Sequence, residues 1–319
     1  MRVYRQGDSI ANLENGCVMA LGSFDALHIA HRQLICYAAR YGRAHKIPSG
    51  VFLFERRPEN LLFPLRDNRS LYSSEERVRI LSEMGVDFVY FASFDESMRR
   101  KSAREFAAML KERFHVSRLS VGFHYRFGYR GEGDARLLAS LGEELGFGVE
   151  VTPPVTYGGE LVSSTRVRAL VEAGEVAKAA QLLGRPYSVS GEVCSDRGVG
   201  RQMRLPTANL MIKEPLVELA HGVYATMAHV GGMTYPSVTN VGVRPTFGLD
   251  RLAIEAHMLD FDGNLYGKRV RLEFIARLRG EIRFASKEAL MGQIAKDIDR
   301  TRILLCGKWT HGTRPDEID

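Results

Sequence analysis

A chain of 319 residues, 45% hydrophobic and 26% charged, is long enough to bury two separate cores, and this balance excludes a disordered or fibrous protein. No run approaches the roughly 20 apolar residues that span a bilayer, and residues 1–8 lack a secretory apolar core, so a cytoplasmic protein with no membrane partner is expected. The net charge of +6 comes from Lys and Arg spread along the chain rather than gathered in runs, which suits anionic small molecules better than nucleic acid. Cys17, Cys36, Cys194 and Cys306 form no CxxC pair and read as reduced structural thiols.

From residue 16 to about 183 short apolar runs alternate with helical segments. Cys17–Leu21, Val51–Phe54, Val86–Phe91 and Leu119–Val121 are too short for helices and read as buried strands. Ser73-x-x-Glu76 and Ser102-x-x-Glu105 are helix-start signals, Phe106, Met109, Leu110 and Phe114 then share one helical face, and Gly85 ends the helix opened by Ser73. Strand, helix, strand in this order predicts a parallel sheet covered on both faces.

Gly22-Ser23-Phe24-Asp25-Ala26-Leu27-His28-Ile29-Ala30-His31 joins the first of these strands to the first helix, the place where parallel α/β folds bind nucleotides. His28 and His31 fall three apart on the first turn, facing the same way beside free N–H groups that attract phosphate; a solvated pair at a helix start is the plain alternative. Ser163-Ser164-Thr165-Arg166-Val167-Arg168 is a second helix start, with hydroxyls and Arg168 offering another anion site. A zinc site built on His28 and His31 lacks a third ligand nearby.

After Gly184-Arg185-Pro186 the pattern becomes one of strands. Tyr187–Val193, Val223–Val230, Ala253–Leu259 and Val270–Ile275 alternate or run apolar, with turn signals at Gly231-Gly232 and Asp262-Gly263-Asn264, which predicts an antiparallel barrel or sandwich. Leu290, Ile294 and Ile298 recur at spacing four in a closing helix. Within this half the loop Gly198–Leu205 runs into Pro206-Thr207-Ala208-Asn209, where Thr207 and Asn209 offer two neutral oxygens on one face of an extended segment, a ligand type that Mg²⁺ accepts when phosphates and water complete its shell. Glu255 is a carboxylate within an alternating apolar strand, and His257 reads as structural.

GxFDxxHxxH together with SSTxxR resembles the nucleotidyltransferase superfamily and, within it, the adenylyltransferase half of bacterial bifunctional riboflavin kinase/FAD synthetases. Pro206–Asn209, Gly222–Ala225, Asn240–Gly248, Glu255–Gly267 and Arg279-x-Glu281-x-x-Phe284, in that order, resemble the riboflavin kinase half of the same family. The resemblance implies a Rossmann-like nucleotidyltransferase domain over residues 1–184, followed by a six-stranded antiparallel β-barrel kinase domain with a C-terminal helix over 185–319. It further implies that Gly22, Phe24, Asp25, His28, His31, Ser164, Thr165 and Arg168 hold the ATP phosphates of the first domain. In the second, Gly200 and Arg201 belong to a phosphate flap, Arg279 contacts ATP or flavin, Thr207 and Asn209 ligate Mg²⁺, and Glu255 is the base. Riboflavin, ATP and FMN are the implied substrates, FMN and FAD the products, and a homo-oligomer is compatible with this reading.

The chain departs from the family pattern at Ala26 and Ala30, where glycines are usual, at Arg57 in place of histidine, and at His124 in place of Asp or Asn. These departures motivate an alternative in which only the kinase half is catalytic and the N-terminal half is structural or regulatory. A third reading, RNA binding by the basic surface, requires a clustered Lys/Arg face that the sequence lacks.

Overall fold

The computed structural model describes residues 1–10, 13–55, 69–194, 207–246 and 249–306. They form two compact units, Met1–Ser164 and Thr165–Asp319.

In the first unit, β1 (Arg2–Arg5), β2 (Cys17–Leu21), β3 (Ser49–Phe54), β4 (Phe88–Ala92), β5 (Val116–Gly122) and β6 (Gly148–Thr152) make one sheet in the order β1-β4-β3-β2-β5-β6. Every pairing in it is parallel. The four strands expected from sequence are β2 to β5; β1 and β6 are the edges, and a small hairpin, β7 (Thr156–Tyr157) with β8 (Glu160–Leu161), follows. Crossovers run through α1 (Ile29–His45), α2 (Ser74–Glu83), α3 (Glu96–Arg100), α4 (Ala103–Phe114) and α5 (Ala135–Leu145). The caps form as the sequence predicts. Ser73 accepts from the Glu76 N–H at 3.2 Å, Ser102 and Glu105 complete a reciprocal capping box, and Gly85 (φ +76°) follows the end of α2 in the left-handed conformation.

Phe106, Leu110 and Phe114 on α4 bury one face of this sheet, with Phe52 surrounded by Tyr90, Phe106 and Phe114 at ring-centroid distances of 5.7, 5.9 and 6.0 Å. On the other face the Ser120 hydroxyl of β5 donates to the Leu34 carbonyl of α1 at 3.2 Å. Both faces are therefore covered, which is why β2 and β4 are apolar at every position and buried throughout.

Helix α6 (Ser164–Glu172) starts at the last residue of the first unit and lies otherwise in the second, where α7 (Val176–Leu183) packs on strands of a closed barrel. The barrel comprises β9 (Tyr187–Cys194), β10 (Ala208–Met211), β11 (Gly222–Val230), β12 (Met233–Thr246), β13 (Leu249–Met258) and β14 (Arg269–Arg279), in the order β10-β13-β12-β11-β14-β9. Neighbours are antiparallel throughout, which resolves the choice between barrel and sandwich. Gly231 and Gly232, with φ of +60° and +80°, form the two-residue turn between β11 and β12. The C-terminal helix α8 (Lys287–Leu305) lies on β11 and β12. Leu290, Ile294 and Ile298 are half-buried on it, and its most buried positions are Asp297, Thr301 and Leu305.

Candidate active sites

In the first unit, strand order reverses between β2 and β5, so the connections leaving their carboxyl ends diverge and open a crevice. A cleft of about 800 Å³ lies there, walled by Gly22, Phe24, His28, Ala30 and His31 after β2 and by Gly122 to Gly131 after β5. The β2 side is tightly built. Gly22 gives room for the Phe24 ring to fold back, since a methyl group on Gly22 would stand 3.0 Å from Phe24 Cζ. Phe24 and Leu27 both hold φ of +47° and are fully buried, so packing maintains a turn that costs on the order of 1 kcal/mol for each side-chain-bearing residue in that region.

His28 is the N-cap of α1: its Nδ1 accepts from the His31 N–H at 3.2 Å. The two imidazoles stack with centroids 3.7 Å apart and planes 13° apart, and His31 also meets the Phe24 ring edge-on at 5.1 Å. His28 is only 4% exposed, so the solvated pair gives way to an ordered stack in the cleft wall at a helix N-terminus. Asp25 has a different place. It is buried, accepts from the Leu71 N–H at 3.1 Å through Oδ1, and so ties the turn to the segment before α2.

The opposite wall carries groups that sequence reasoning missed. Arg99, Lys101, Arg126 and Arg130 line the cleft together with Phe94, Phe123, Tyr125 and Phe127, giving cationic groups and aromatic faces in one cavity. Burial pushes the Tyr125 phenol well above its usual range, so it stays neutral. His124 lines the cleft beside Phe123, their rings 4.7 Å apart. Ala26 is fully buried, outside the left-handed backbone region, and is not part of the cleft wall, whereas Ala30 is. Arg57 lies outside the described residues. Ser164 is the first residue of α6, and Thr165 and Arg168 follow in its first turns, so this segment is a helix start as expected.

In the second unit the candidate residues gather on the outer surface of the barrel. Ala208 and Leu210 are buried, which turns Asn209 outward, and Thr207 is on the same side by the two-residue period. Ile254 and Ala256 likewise leave Glu255 outward and half-buried. Asn209 pairs directly with Glu255 across β10 and β13, and Glu255 pairs with Asn240 across β13 and β12. The same register row continues through Val223 to Arg279, and on the far side Asn209 pairs with Cys194. Directly opposed side chains on one face stand within about 5.5 Å at Cβ, so Asn209, Glu255 and Asn240 form a contiguous polar track, which the apolar Val223 separates from Arg279.

Arg279 is anchored. Its Nε and Nη2 each lie 2.9 Å from Asp297 Oδ2, its Nη1 donates to the Gly280 carbonyl at 3.1 Å, and its guanidinium sits 5.7 Å from the centre of the Phe284 ring. Gln293 donates to Asp297 Oδ1 at 2.9 Å, so the buried carboxylate of α8 is held by two side chains. Gly200 and Arg201 lie outside the described residues.

The sequence pattern of the FAD synthetase family matches residues 10–166, and that of the riboflavin kinase family matches residues 183–305. The chain is 36% identical over 286 residues to the bifunctional riboflavin kinase/FMN adenylyltransferase of Escherichia coli (strain K12), covering 89% of this chain and 91% of that protein. It belongs to this family of bifunctional flavin enzymes. The corresponding protein of Pseudomonas fluorescens is 35% identical over 306 residues, 95% of this chain and 98% of that one. A crystal structure described as a macrolide-efflux protein from Streptococcus pneumoniae superposes with a TM-score of 0.84 at 27% identity, covering 97% of this chain and all of that one. Among the described residues no helix is long and apolar enough to cross a membrane. The two family patterns fall on the α/β unit and on the barrel, and each of these carries one of the two candidate sites.

Proposed function

We propose that the riboflavin kinase reaction runs on the outer face of the barrel and the FMN adenylyltransferase reaction in the cleft after β2 and β5. The observation that carries the first assignment is the direct pairing of Asn209 with Glu255. Phosphoryl transfer needs little covalent help from a protein; it needs the nucleophile deprotonated and the phosphate charge held. Glu255 supplies the acceptor for the proton of the primary ribityl hydroxyl, whose oxygen then attacks the γ-phosphorus of ATP, giving FMN and ADP. Thr207 and Asn209, one strand away, would hold Mg²⁺. Among the described residues no group of three or more His, Cys, Asp and Glu forms a metal cage, and two neutral oxygens completed by nucleotide phosphates and water fit a hard cation. The metal would neutralise charge developing on the transferred phosphoryl group. Gly200 and Arg201, outside the described residues, are assigned to phosphate binding, and Arg279, strapped to Asp297, fixes the C-terminal helix beside the row.

In the cleft of the first unit, FMN phosphate attacks the α-phosphorus of a second ATP and displaces pyrophosphate, giving FAD. His28 and His31 stand at the amino end of α1, where the backbone N–H groups and the helix dipole favour phosphate. Arg99, Lys101, Arg126 and Arg130 add charge for the remaining anionic groups, and Phe123, Tyr125 and Phe127 offer faces for flat rings. Gly22 and Phe24 shape this wall and Asp25 braces it. Apart from that cleft, Ser164, Thr165 and Arg168 at the start of α6 are a further candidate phosphate-binding segment. The functional division falls at residues 184 and 185, and the ATP pool places the enzyme in the cytoplasm. Bifunctional relatives and both family patterns disfavour the reading in which the N-terminal half is inert. The deciding experiment feeds purified protein riboflavin, ATP and Mg²⁺ and separates the flavins by chromatography: FMN and then FAD are expected. FMN that never proceeds to FAD, even when FMN is supplied directly, would remove the adenylyltransferase assignment.

A further inference from the structure

We propose that Asn240 is a positioning residue for Glu255, held in its working orientation by Glu281. The inference rests on the kinase reading in which Glu255 is the base. Asn240 lies in β12 between Thr239 and Val241, both fully buried, and is itself exposed on the outer face. It is the direct partner of Glu255 on β13. Glu255 is thus flanked by a carboxamide on each side, Asn209 and Asn240.

The two amides have different work. Asn209 turns its oxygen toward the cation in the proposed site, which leaves Asn240 to hold the base. A second carboxylate, Glu281, stands in the neighbourhood of the same amide. A methyl group on Gly242 would stand 3.1 Å from Glu281 Oε1 and 3.9 Å from Asn240 Nδ2, so Glu281 reaches over Gly242 to the neighbourhood of the Asn240 amide. Ionised carboxylates only accept hydrogen bonds, and a carboxamide NH₂ has two protons to give. With Glu255 on one side and Glu281 on the other, the orientation that satisfies both presents Nδ2–H to each. Glu255 then loses freedom of rotation and keeps one lone pair for the ribityl proton. A side chain on Gly242 would press on the Glu281 carboxylate and make it shift.

This arrangement predicts a kcat effect with substrate binding preserved. Asn240→Ala should lower kcat for FMN formation roughly tenfold and leave KM for riboflavin and ATP within about twofold. Asn240→Asp places a third carboxylate against Glu255, so kcat should fall further and the acidic limb of its pH profile should move upward. Glu281→Gln should lower kcat about threefold, and the double variant Asn240→Ala/Glu281→Gln should be no worse than Asn240→Ala alone, because both act through one amide. Wild-type kcat and pH profile in Asn240→Ala and Asn240→Asp would overturn the proposal, as would additive losses in the double variant. Thermal melting and riboflavin binding check the barrel. If Asn240→Ala does not fold, the Glu281→Gln kcat decides, an unchanged value overturning the proposal. Glu255→Gln separates the two readings: full activity there removes the base itself, whereas a dead Glu255→Gln beside unaffected Asn240 variants removes only the role of Asn240.

Discussion

Asn209 and Glu255 face each other across adjacent antiparallel strands, an amide oxygen donor and a carboxylate in one register pair on the outside of a closed barrel. The pairing places a neutral oxygen ligand and a carboxylate side by side on adjacent strands. Glu255→Gln keeps the size of the side chain and removes its basicity. FMN formation should fall by roughly 10²–10⁴-fold, the range for loss of a general base, while ADP binding measured by calorimetry stays within a factor of about two. Activity within tenfold of wild type would exclude Glu255 as the base.

The stacked pair of His28 and His31 predicts a separable loss in the other unit. His31→Ala leaves the His28 cap intact, whereas His28→Ala also removes the acceptor for the His31 N–H, a cap worth about 1 kcal/mol. Both should reduce FAD formation from FMN by roughly 100-fold. Only His28→Ala should lower the melting temperature noticeably. FMN formation from riboflavin, measured on the same preparations, should be unchanged in both.

Much of this was legible in the sequence, and the misses have physical causes. The buried strands β2 to β5 announce themselves as apolar runs, and caps at Ser73 and Ser102 mark helix starts because side-chain oxygens there satisfy free N–H groups. β1 carries Arg at both ends and is largely exposed, so no periodicity separates it from a loop. β10 and β12 hold Asn209 and Asn240, polar residues that read as motifs rather than strands until the partner strands supply the alternation. His28 and His31 could be placed on one helix face from spacing alone, but the stack, and the bracing role of Asp25 through Leu71, are long-range outcomes. The cations come from two distant segments, Arg99 and Lys101 at the end of α3 and Arg126 and Arg130 after β5; only the topology of the sheet gathers them.

Gly50 offers a test of the first core. A methyl group there would stand 2.2 Å from Phe88 Cζ, and Phe88 is only 3% exposed, packed edge-on against Tyr4 at 6.1 Å. Gly50→Ala should destabilise the first unit by about 1–3 kcal/mol, the cost of overpacking, seen as a lower denaturant midpoint. The paired change Gly50→Ala with Phe88→Leu should recover part of that loss. If the single variant melts like wild type, the close approach of Phe88 to β3 is not maintained in solution.

The barrel has an acid-sensitive pair of its own. Glu273 on β14 stands 3.1 Å from His229 Nε2 on β11 and also pairs with Arg271, while Thr234 Oγ1 meets His229 Nδ1 at 3.0 Å. Burial pushes the Glu273 carboxyl upward, but His229 and Arg271 outweigh it and pull it below the usual carboxylate range, down to about 2. A carboxylate more acidic folded than unfolded contributes stability that is fully present above its unfolded value and is lost as pH falls through the folded one. The contribution should therefore be complete above about pH 5 and fade between about pH 4.5 and 2. Glu273→Gln should cost roughly 1–3 kcal/mol at neutral pH, and the gap between wild type and variant should close as pH drops toward 2. Denaturation midpoints recorded at several pH values give the curve directly. A gap that stays constant from pH 7 to pH 2 would mean that Glu273 acts through its shape and hydrogen bonds rather than its charge.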